Sequence, residues 1–247
     1  MLRKRFITVL TLNDGTLFRT KLFKPDYRYT LNFVDAWSVD EIAILDVTRG
    51  DNPDREKFFR AVSEFARTCF VPIAVGGGIR KLDDVKHYMD AGADKVIVNS
   101  GAIENPTLIT DIAEAYGAQC VVLSIDAAKQ GSGYQVMSHF ATRETGCDPS
   151  DWAKQGEALG AGEILITAVE RDGALQGYDL DLTARVADAV SIPVQVLGGC
   201  GNWNHMAAAL AVPGVSAACT QNIYHFTEQS IASAKKFLAS KGWAVRL

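Results

Sequence analysis

Two stretches, Val71–Ile79 (VPIAVGGGI) and Ile192–Cys200 (IPVQVLGGC), decide the fold that this sequence predicts. Each has a proline, a short apolar run typical of a buried parallel strand, and a pair of glycines. The two prolines lie 121 residues apart in a chain of 247 residues. The same spacing, to within a residue, superimposes Glu41–Asp51 (EIAILDVTRGD) on Glu163–Gly173 (EILITAVERDG). Two matches in one register predict a chain built from two similar halves.

Short apolar or β-branched runs recur along the chain with amphipathic segments between them, which is the pattern of parallel βα units. The predicted strands are Phe6–Thr11, Ile42–Asp46, Ile73–Val75, Lys95–Asn99, Val121–Asp126, Ile164–Thr167, Val194–Leu197 and Ser216–Thr220. The clearest predicted helices are Arg55–Arg67, Leu82–Gly92 and Leu182–Val190. Eight strands in about 250 residues favour a closed barrel over an open sheet. We therefore predict an α/β fold, a single (β/α)8 TIM barrel made of two similar half-barrels, as one domain over residues 1–247.

The composition narrows the classes of partner. A net charge of −4 without a basic run argues against nucleic acid, and no stretch approaches the roughly 20 apolar residues of a membrane span. The opening MLRKRFITVL is predicted to be the first strand and not a signal peptide, so we expect a cytoplasmic protein. The odd, widely spaced cysteines indicate neither a disulfide framework nor a zinc site, and we predict no metal and no cofactor. We expect buried, reduced thiols at Cys69, Cys120, Cys147, Cys200 and Cys219.

Polar groups and glycines follow the strands at the end where α/β barrels carry their active sites. Gly77 and Gly78 follow the third strand, and Gly198 and Gly199 follow the seventh. Without a Cβ, backbone N–H groups can approach an anion closely. The neighbouring strands end in small polar residues, which are Asn99, Ser100, Thr220 and Gln221. We predict two phosphate sites that face each other across one mouth of the barrel. The alternative is that the glycines serve only to permit tight turns after the strands.

The carboxylates at the strand ends differ between the two halves. Asp126 closes the fifth strand after an apolar run, where an acid has no packing purpose, and we predict a general acid or base there. Asp46 and Asp172 follow the second and sixth strands, where each could instead cap a helix. The half-barrel counterpart of Asp126 is Thr11, whose hydroxyl cannot titrate at a useful pH. One half of the mouth therefore lacks its acid.

Over nearly its full length the chain resembles the cyclase subunit of imidazole glycerol phosphate synthase, the HisF family. The resemblance is carried by DEIAILDVT (40–48), PIAVGGGIR (72–80), GADKVIVNS (92–100), VVLSIDA (121–127) and ERDGALQGYD (170–179). In that family the barrel takes ammonia from a glutaminase docked at its N-terminal face and passes it through the core to a substrate with two phosphates. Two aspartates, ending the first and fifth strands, act as acid and base to give imidazole glycerol phosphate and an aminoimidazole carboxamide ribonucleotide.

The resemblance implies roles for specific residues. It implies a catalytic role for Asp126, and substrate or phosphate contacts from Gly77, Gly78, Asn99, Ser100, Asp172, Gly173, Gly198, Gly199, Thr220, Gln221 and Arg19. It also implies an ammonia gate of alternating charges, Arg5, Glu41, Lys95 and Glu163. Such charges are costly around a barrel axis unless they pair, and their presence predicts a HisH-like glutaminase partner.

Three departures separate the chain from the family pattern. Thr11 stands at the first catalytic aspartate, Arg19 at a loop lysine, and Phe140–Arg143 at a glycine-rich turn. Losing one of two proton-transfer groups costs about 10² to 10⁴ in rate, so whether the chain is an enzyme stays open. The first hypothesis is a cyclase-type subunit, and the alternative is a divergent ammonia-delivering partner of a sugar amidotransferase in surface-polysaccharide (amidino sugar) biosynthesis. A third is a sugar-phosphate isomerase of the HisA type, which would need two acids and no charged gate.

Overall fold

The computed structural model of the chain describes residues 3–21, 24–28, 39–50, 54–221 and 231–246, with side chains for all but 18–21, 24–28 and 231. The strands are β1 (Arg5–Asn13), β2 (Thr16–Lys21), β3 (Lys24–Arg28), β4 (Glu41–Asp46), β5 (Ile73–Gly76), β6 (Lys95–Val98), β7 (Val121–Gln130), β8 (Gly133–Ser138), β9 (Arg143–Glu144), β10 (Glu163–Ala168), β11 (Val194–Leu197) and β12 (Val215–Thr220). The α-helices are α1 (Glu56–Thr68), α2 (Leu82–Asp90), α3 (Ser100–Glu104), α4 (Thr107–Tyr116), α5 (Pro149–Ala158), α6 (Leu180–Ala189), α7 (Trp203–Ala211) and α8 (Ile231–Ser240). Short 3₁₀ helices cover Ala118–Cys120 and Val169–Arg171.

Eight of the strands form a closed parallel barrel in the order β1, β4, β5, β6, β7, β10, β11 and β12, with β12 paired back to β1. Each barrel strand from β4 onward is followed by a helix on the outside. The helices are amphipathic, and their buried sides pack on the outward-facing strand residues such as Ile42, Val75 and Ile164. The predicted (β/α)8 barrel is therefore confirmed. None of the helices in the described ranges is long and apolar enough to cross a membrane.

Inward-facing residues stack inside the barrel in layers of four, because tilted parallel strands contribute to each layer alternately. The ring layer, nearest the N-terminal face, contains Glu41, Lys95, Glu163 and Ala217. The middle layer above it contains Ile7, Ala74, Val122 and Gln195. The floor layer follows, with Ala43, Ile97, Leu165 and Cys219. Apart from the ring charges and Gln195, this interior is apolar or a thiol, so it forms a dry core between the two faces.

The first and fifth barrel strands both run past the rim of the barrel as antiparallel hairpins. β1 continues into β2 and β3, and β7 continues into β8 and β9. The eight predicted barrel strands are confirmed, and these four additional strands were not predicted. Sequences such as TLFRTK in β2 and GYQVMS in β8 lack the continuous apolar run of a buried barrel strand. The sequence of Thr20–Leu31 predicts a long loop, but β3 lies within this segment, and its residues 22, 23 and 29–31 lie outside the described residues.

The cysteines correct another expectation. All five are free, but only Cys200 and Cys219 are buried, while Cys69 and Cys120 are half-buried and Cys147 is exposed. Cys147 lies between β9 and α5, outside the barrel strands and the helices. Its exposure follows from that position, which spacing along the sequence does not reveal.

The turn between β8 and β9 has an unusual backbone. His139, Phe140 and Ala141 have φ angles of 52°, 60° and 58°, so three consecutive non-glycine residues are left-handed. This conformation costs roughly 1–2 kcal/mol per residue with a Cβ. The strained turn coincides with Phe140–Arg143, the segment that departs from the glycine-rich turn of the HisF family.

Replacing Ala141 by glycine is expected to raise the free energy of unfolding by about 1 kcal/mol, because glycine adopts a positive φ without steric cost. Urea denaturation of the two chains measures the difference. Ala128, in β7, has no positive φ, so Ala128→Gly is the matched control and should lower the free energy of unfolding by about 0.5–1 kcal/mol. Two losses of similar size would show that Ala141 is not strained.

Candidate active site

A cleft of about 250 Å³ opens at the C-terminal mouth of the barrel. It brings together the predicted residues Thr11, Gly77, Gly78, Asn99, Ser100, Asp126, Asp172, Gly173, Gly198, Gly199, Thr220 and Gln221. Arg19 lies on β2, and its side chain is outside the described part of the chain. The cleft also reaches down to Ile97, Leu165 and Cys219, the floor layer of the barrel. Only the middle layer then separates it from the ring layer.

The two glycine loops face each other across this cleft, and their backbones leave no room for a side chain. Gly77 has a φ of 119°, and a Cβ there would lie 2.4 Å from the Asp46 carbonyl oxygen. Gly199 has a φ of 100°, and a Cβ there would lie 2.2 Å from the Gly177 carbonyl oxygen. Tight packing thus requires glycine in both halves. The same absence of Cβ keeps the loop backbone accessible from the cleft.

Arg55 is a residue of this site that the sequence reasoning missed. Its Nη1 donates to the Gly78 carbonyl at 3.2 Å and to the Tyr88 hydroxyl at 3.2 Å, and Tyr88 in turn donates to the Gly77 carbonyl. Its Nε lies 3.2 Å from Asp46 Oδ2, an ion pair with a buried carboxylate. Asp46 therefore orients Arg55 and does not cap a helix. The arrangement places a cation on the first glycine loop.

Asp126 lies at the end of the barrel part of β7, with its carboxylate beside β6 and β10. Asn99 Nδ2 donates to Asp126 Oδ2 at 2.8 Å. Burial raises the pKa of Asp126 to about 7, and the charge of Asp172 adds to this, while hydrogen bonds from Asn99 and Thr167 oppose it. A carboxyl group that titrates near neutrality can both accept and return a proton. Asp126 is thus suited to accept and donate a proton, and its catalytic role stays a prediction.

Asn99 supports the acid. Its amide nitrogen donates one hydrogen to Asp126, and the phosphate contact expected of Asn99 stays a prediction. Its Oδ1 is buried and accepts no hydrogen bond within the described residues. A buried acceptor of this kind costs about 1–3 kcal/mol when unpaired. A ligand that donates a hydrogen bond here would remove that cost.

Across the mouth, Thr11 is buried and bound to a neutral partner. Gln221 Nε2 donates to Thr11 Oγ1 at 2.6 Å, so the amide predicted to contact phosphate points at Thr11. Asp14 does not replace the missing acid, because it is exposed and pairs with Lys57 at 2.9 Å. Among the cleft-lining residues that the structure describes, the carboxylates are Asp46, Asp126 and Asp172. The half-barrel symmetry of the mouth is therefore broken in chemistry as well as in sequence.

Asp172 lies at the edge of the cleft beside Gly173, directly after the 3₁₀ helix Val169–Arg171. It does not cap a helix, since Asp179 is the N-cap of α6 and accepts from Leu182 N at 3.0 Å. Its charge acts on Asp126, whose pKa it raises.

At the opposite end of the axis, the four predicted gate residues form a closed ring of ion pairs. Arg5 lies 2.8 Å from Glu41 and 2.6 Å from Glu163, and Lys95 lies 3.0 Å and 2.7 Å from the same two carboxylates. Arg5 comes from one residue position below the ring layer, and the small Ala217 leaves room for its guanidinium. Two positive and two negative groups alternate, so the ring is neutral.

The ring holds the Glu163 carboxylate ionised. Burial favours the neutral form of Glu163, but hydrogen bonds and charges from Arg5 and Lys95 outweigh it and lower the pKa of Glu163 to about 2. The Glu163 carboxylate raises the pKa of Arg5 against the opposing effect of burial. At neutral pH both groups are fully charged, which keeps the ring closed.

Gln195 is the second residue that the sequence reasoning missed. It points into the barrel and donates from Nε2 to Glu163 Oε2 at 2.5 Å. The signal was present in the sequence, because a glutamine inside the apolar strand VQVL has no packing purpose.

A comparison with known families agrees with this architecture. The model of the family described as "Histidine biosynthesis protein" matches residues 8–230. The match includes seven barrel strands in full, β1 from Thr8 onward, and the whole described lining of the cleft, from Val9 to Gln221. On this match, the chain belongs to the histidine biosynthesis protein family.

Proposed function

We propose that the chain is a HisF-like, cyclase-type subunit of imidazole glycerol phosphate synthase. It would use ammonia from a glutaminase partner on a substrate with two phosphates. The observation that carries this proposal is the closed ring of Arg5, Glu41, Lys95 and Glu163 on the same axis as the cleft. An isomerase of the HisA type works on its substrate at the mouth alone and has no use for a charged ring at the far face. The ring therefore favours ammonia chemistry within the family.

The cleft residues divide the work of such a reaction. The two glycine loops bind the two phosphates, and Arg55, itself paired with Asp46, supports the first loop through the Gly78 carbonyl. Asp126 takes a proton when the ammonia nitrogen forms its bond to carbon and returns it to the leaving group. Its raised pKa supports this role, because both protonation states are populated near neutral pH. The apolar floor layer admits neutral ammonia more readily than ammonium ion, since a charge is costly in a dry core.

The neutral pair of Thr11 and Gln221 favours a second candidate function. With Thr11 at the position opposite Asp126, and no carboxylate there among the residues that the structure describes, the chain could deliver ammonia to a sugar amidotransferase in surface-polysaccharide biosynthesis. It would bind a phosphorylated effector at its mouth. The ring is needed for either function, whereas a paired acid and base is needed only for the first. Turnover by the native chain therefore discriminates between them.

Both functions require a glutaminase at the N-terminal face, and Phe70 is the residue we expect it to cover. Phe70 precedes β5 at this face and is 81% exposed, whereas Phe140 is 39% exposed at the mouth. Phe70→Ser is expected to raise the dissociation constant for a HisH-like glutaminase of the same organism by about 30-fold, as buried aromatic anchors do. Isothermal titration calorimetry measures it, with Phe140→Ser as the control on the opposite face. Equal, small effects of the two changes would place the partner elsewhere.

A further inference from the structure

The middle layer of the barrel is the only barrier between the charged ring and the floor of the cleft. Three of its four members, Ile7, Ala74 and Val122, are apolar, and the fourth is Gln195. Gln195 is 2% exposed, so its carboxamide is inside the protein and not at either face. A leucine would fill such a position without any need for hydrogen bonds. A buried carboxamide at this position therefore needs a structural explanation.

Its hydrogen bonds supply that reason. Nε2 donates to Glu163 Oε2 at 2.5 Å, and the Cys219 thiol, which lines the cleft, lies 3.9 Å from Oε1. Glu163 thus receives donors from Arg5, Lys95 and Gln195. A hydrogen bond to a charged group contributes more than a neutral one, and burial strengthens it further.

The half-barrel repeat shows that a buried amide at this position is present in the second half of the barrel and absent from the first. The counterpart of Gln195 in the first half is Ala74, which occupies the same layer and has no polar group. The larger, polar side chain of this layer therefore lies on β11, next to Glu163 on β10. Glu41, the equivalent ring carboxylate beside Ala74, receives no such amide, and its Oε1 accepts no hydrogen bond within the described residues.

We propose that Gln195 is a fifth member of the ring, a positioning residue that holds Glu163 in place and closes the barrel axis beneath the cleft. Its meaning for ammonia passage rests on the proposed function. A molecule that moves from the N-terminal face to Cys219 must pass the carboxamide, and Glu163 can swing away from Lys95 only by breaking its bond to Gln195. Breaking the ion pairs of the ring and opening a passage along the barrel axis then occur together.

The test measures how often the ring opens. In the native chain the Lys95 ammonium is held by Glu41 and Glu163, so its hydrogens should exchange slowly with water and give an observable ¹⁵N NMR signal. Gln195→Leu removes one charge-assisted hydrogen bond from Glu163 and is expected to speed this exchange by about tenfold or more. Gln135→Leu removes another buried glutamine, in β8 and away from the ring, and should leave the rate unchanged.

The outcomes are distinct from those that decide the proposed function, because neither ligand nor glutaminase is present. A Lys95 signal that is lost to fast exchange in the native chain, or one that Gln195→Leu leaves unchanged, overturns the inference. Gln195→Met provides a second apolar replacement if the leucine variant does not fold, with circular dichroism as the check on folding. Failure of ammonium-dependent turnover would overturn the proposed function and leave this result standing.

Discussion

Asp126→Asn is expected to lower cyclase turnover by about 10² to 10⁴, which is the usual contribution of a positioned acid or base. The amide keeps the shape of the carboxyl group and can still lie beside Asn99, but it cannot exchange a proton with the substrate. Steady-state turnover with saturating ammonium salt measures the loss. Asp151→Asn, at an exposed site on α5, is the matched control and should be neutral. A loss below about tenfold would remove Asp126 from the proton transfers.

The pH dependence of the same turnover shows whether Asp126 acts as a base with a raised pKa. A carboxylate acting as base is absent below its pKa, so the rate should rise with pH and level off above about 7. Asn99→Leu removes a hydrogen bond that favours the ionised form, so it should move this limb to higher pH. A limb that stays in place in Asn99→Leu would mean that another group titrates.

Lys95→Met is expected to lower the free energy of unfolding by about 3 kcal/mol or more, since breaking a buried ion pair leaves an uncompensated charge. Glu41 is 2% exposed, and its Oε1 already accepts no hydrogen bond within the described residues. Without Lys95, Arg5 alone must neutralise two buried carboxylates. Urea denaturation at neutral pH measures the change. Lys81→Met removes an exposed lysine, 3.7 Å from Asp83, and should cost less than about 1 kcal/mol.

The ring also predicts how the difference in unfolding free energy between the native chain and Lys95→Met depends on pH. Glu163 has a pKa of about 2 in the folded chain, below the ordinary value of 4.5, so it stabilises the fold fully above pH 4.5. That contribution is lost as pH falls from 4.5 towards 2. The gap between the native chain and Lys95→Met should therefore narrow on acidification. A gap that is constant over this range would mean that Lys95 acts by packing and not by charge.

The barrel was predictable because its determinants are local and repeated. The stretches Val71–Ile79 and Ile192–Cys200 carry strand, turn and half-barrel register together, and parallel strands bring their carboxyl ends to one mouth by geometry alone. That is why Asp126 and both glycine loops could be placed in one cleft before the structure was known. The ring followed from the resemblance, since charges at the starts of strands are otherwise unremarkable. The hairpins were missed because their strand sequences, such as TLFRTK and GYQVMS, have no continuous apolar run.

The side-chain contacts of the site could not be predicted. Arg55 begins α1 in the sequence, and its place over Gly78 depends on the direction of its side chain and on the buried Asp46. Gln221 was expected at a phosphate, but it lies close enough to Thr11 to donate at 2.6 Å. Both results depend on packing between segments far apart in the chain. Sequence spacing predicts which end of the barrel such residues lie at, but it does not predict their hydrogen-bond partners.

The measurement that tests the central claim most directly is turnover of the phosphoribulosyl-formimino substrate with excess ammonium salt, for the native chain and Thr11→Asp. The proposed function predicts ammonium-dependent turnover by the native chain, abolished by Asp126→Asn and not dependent on a carboxylate at position 11. An inactive native chain that Thr11→Asp activates would contradict it. In that case Gln221, which now donates to Thr11, would donate to the new carboxylate, and ammonia delivery to another enzyme would replace cyclisation as the function.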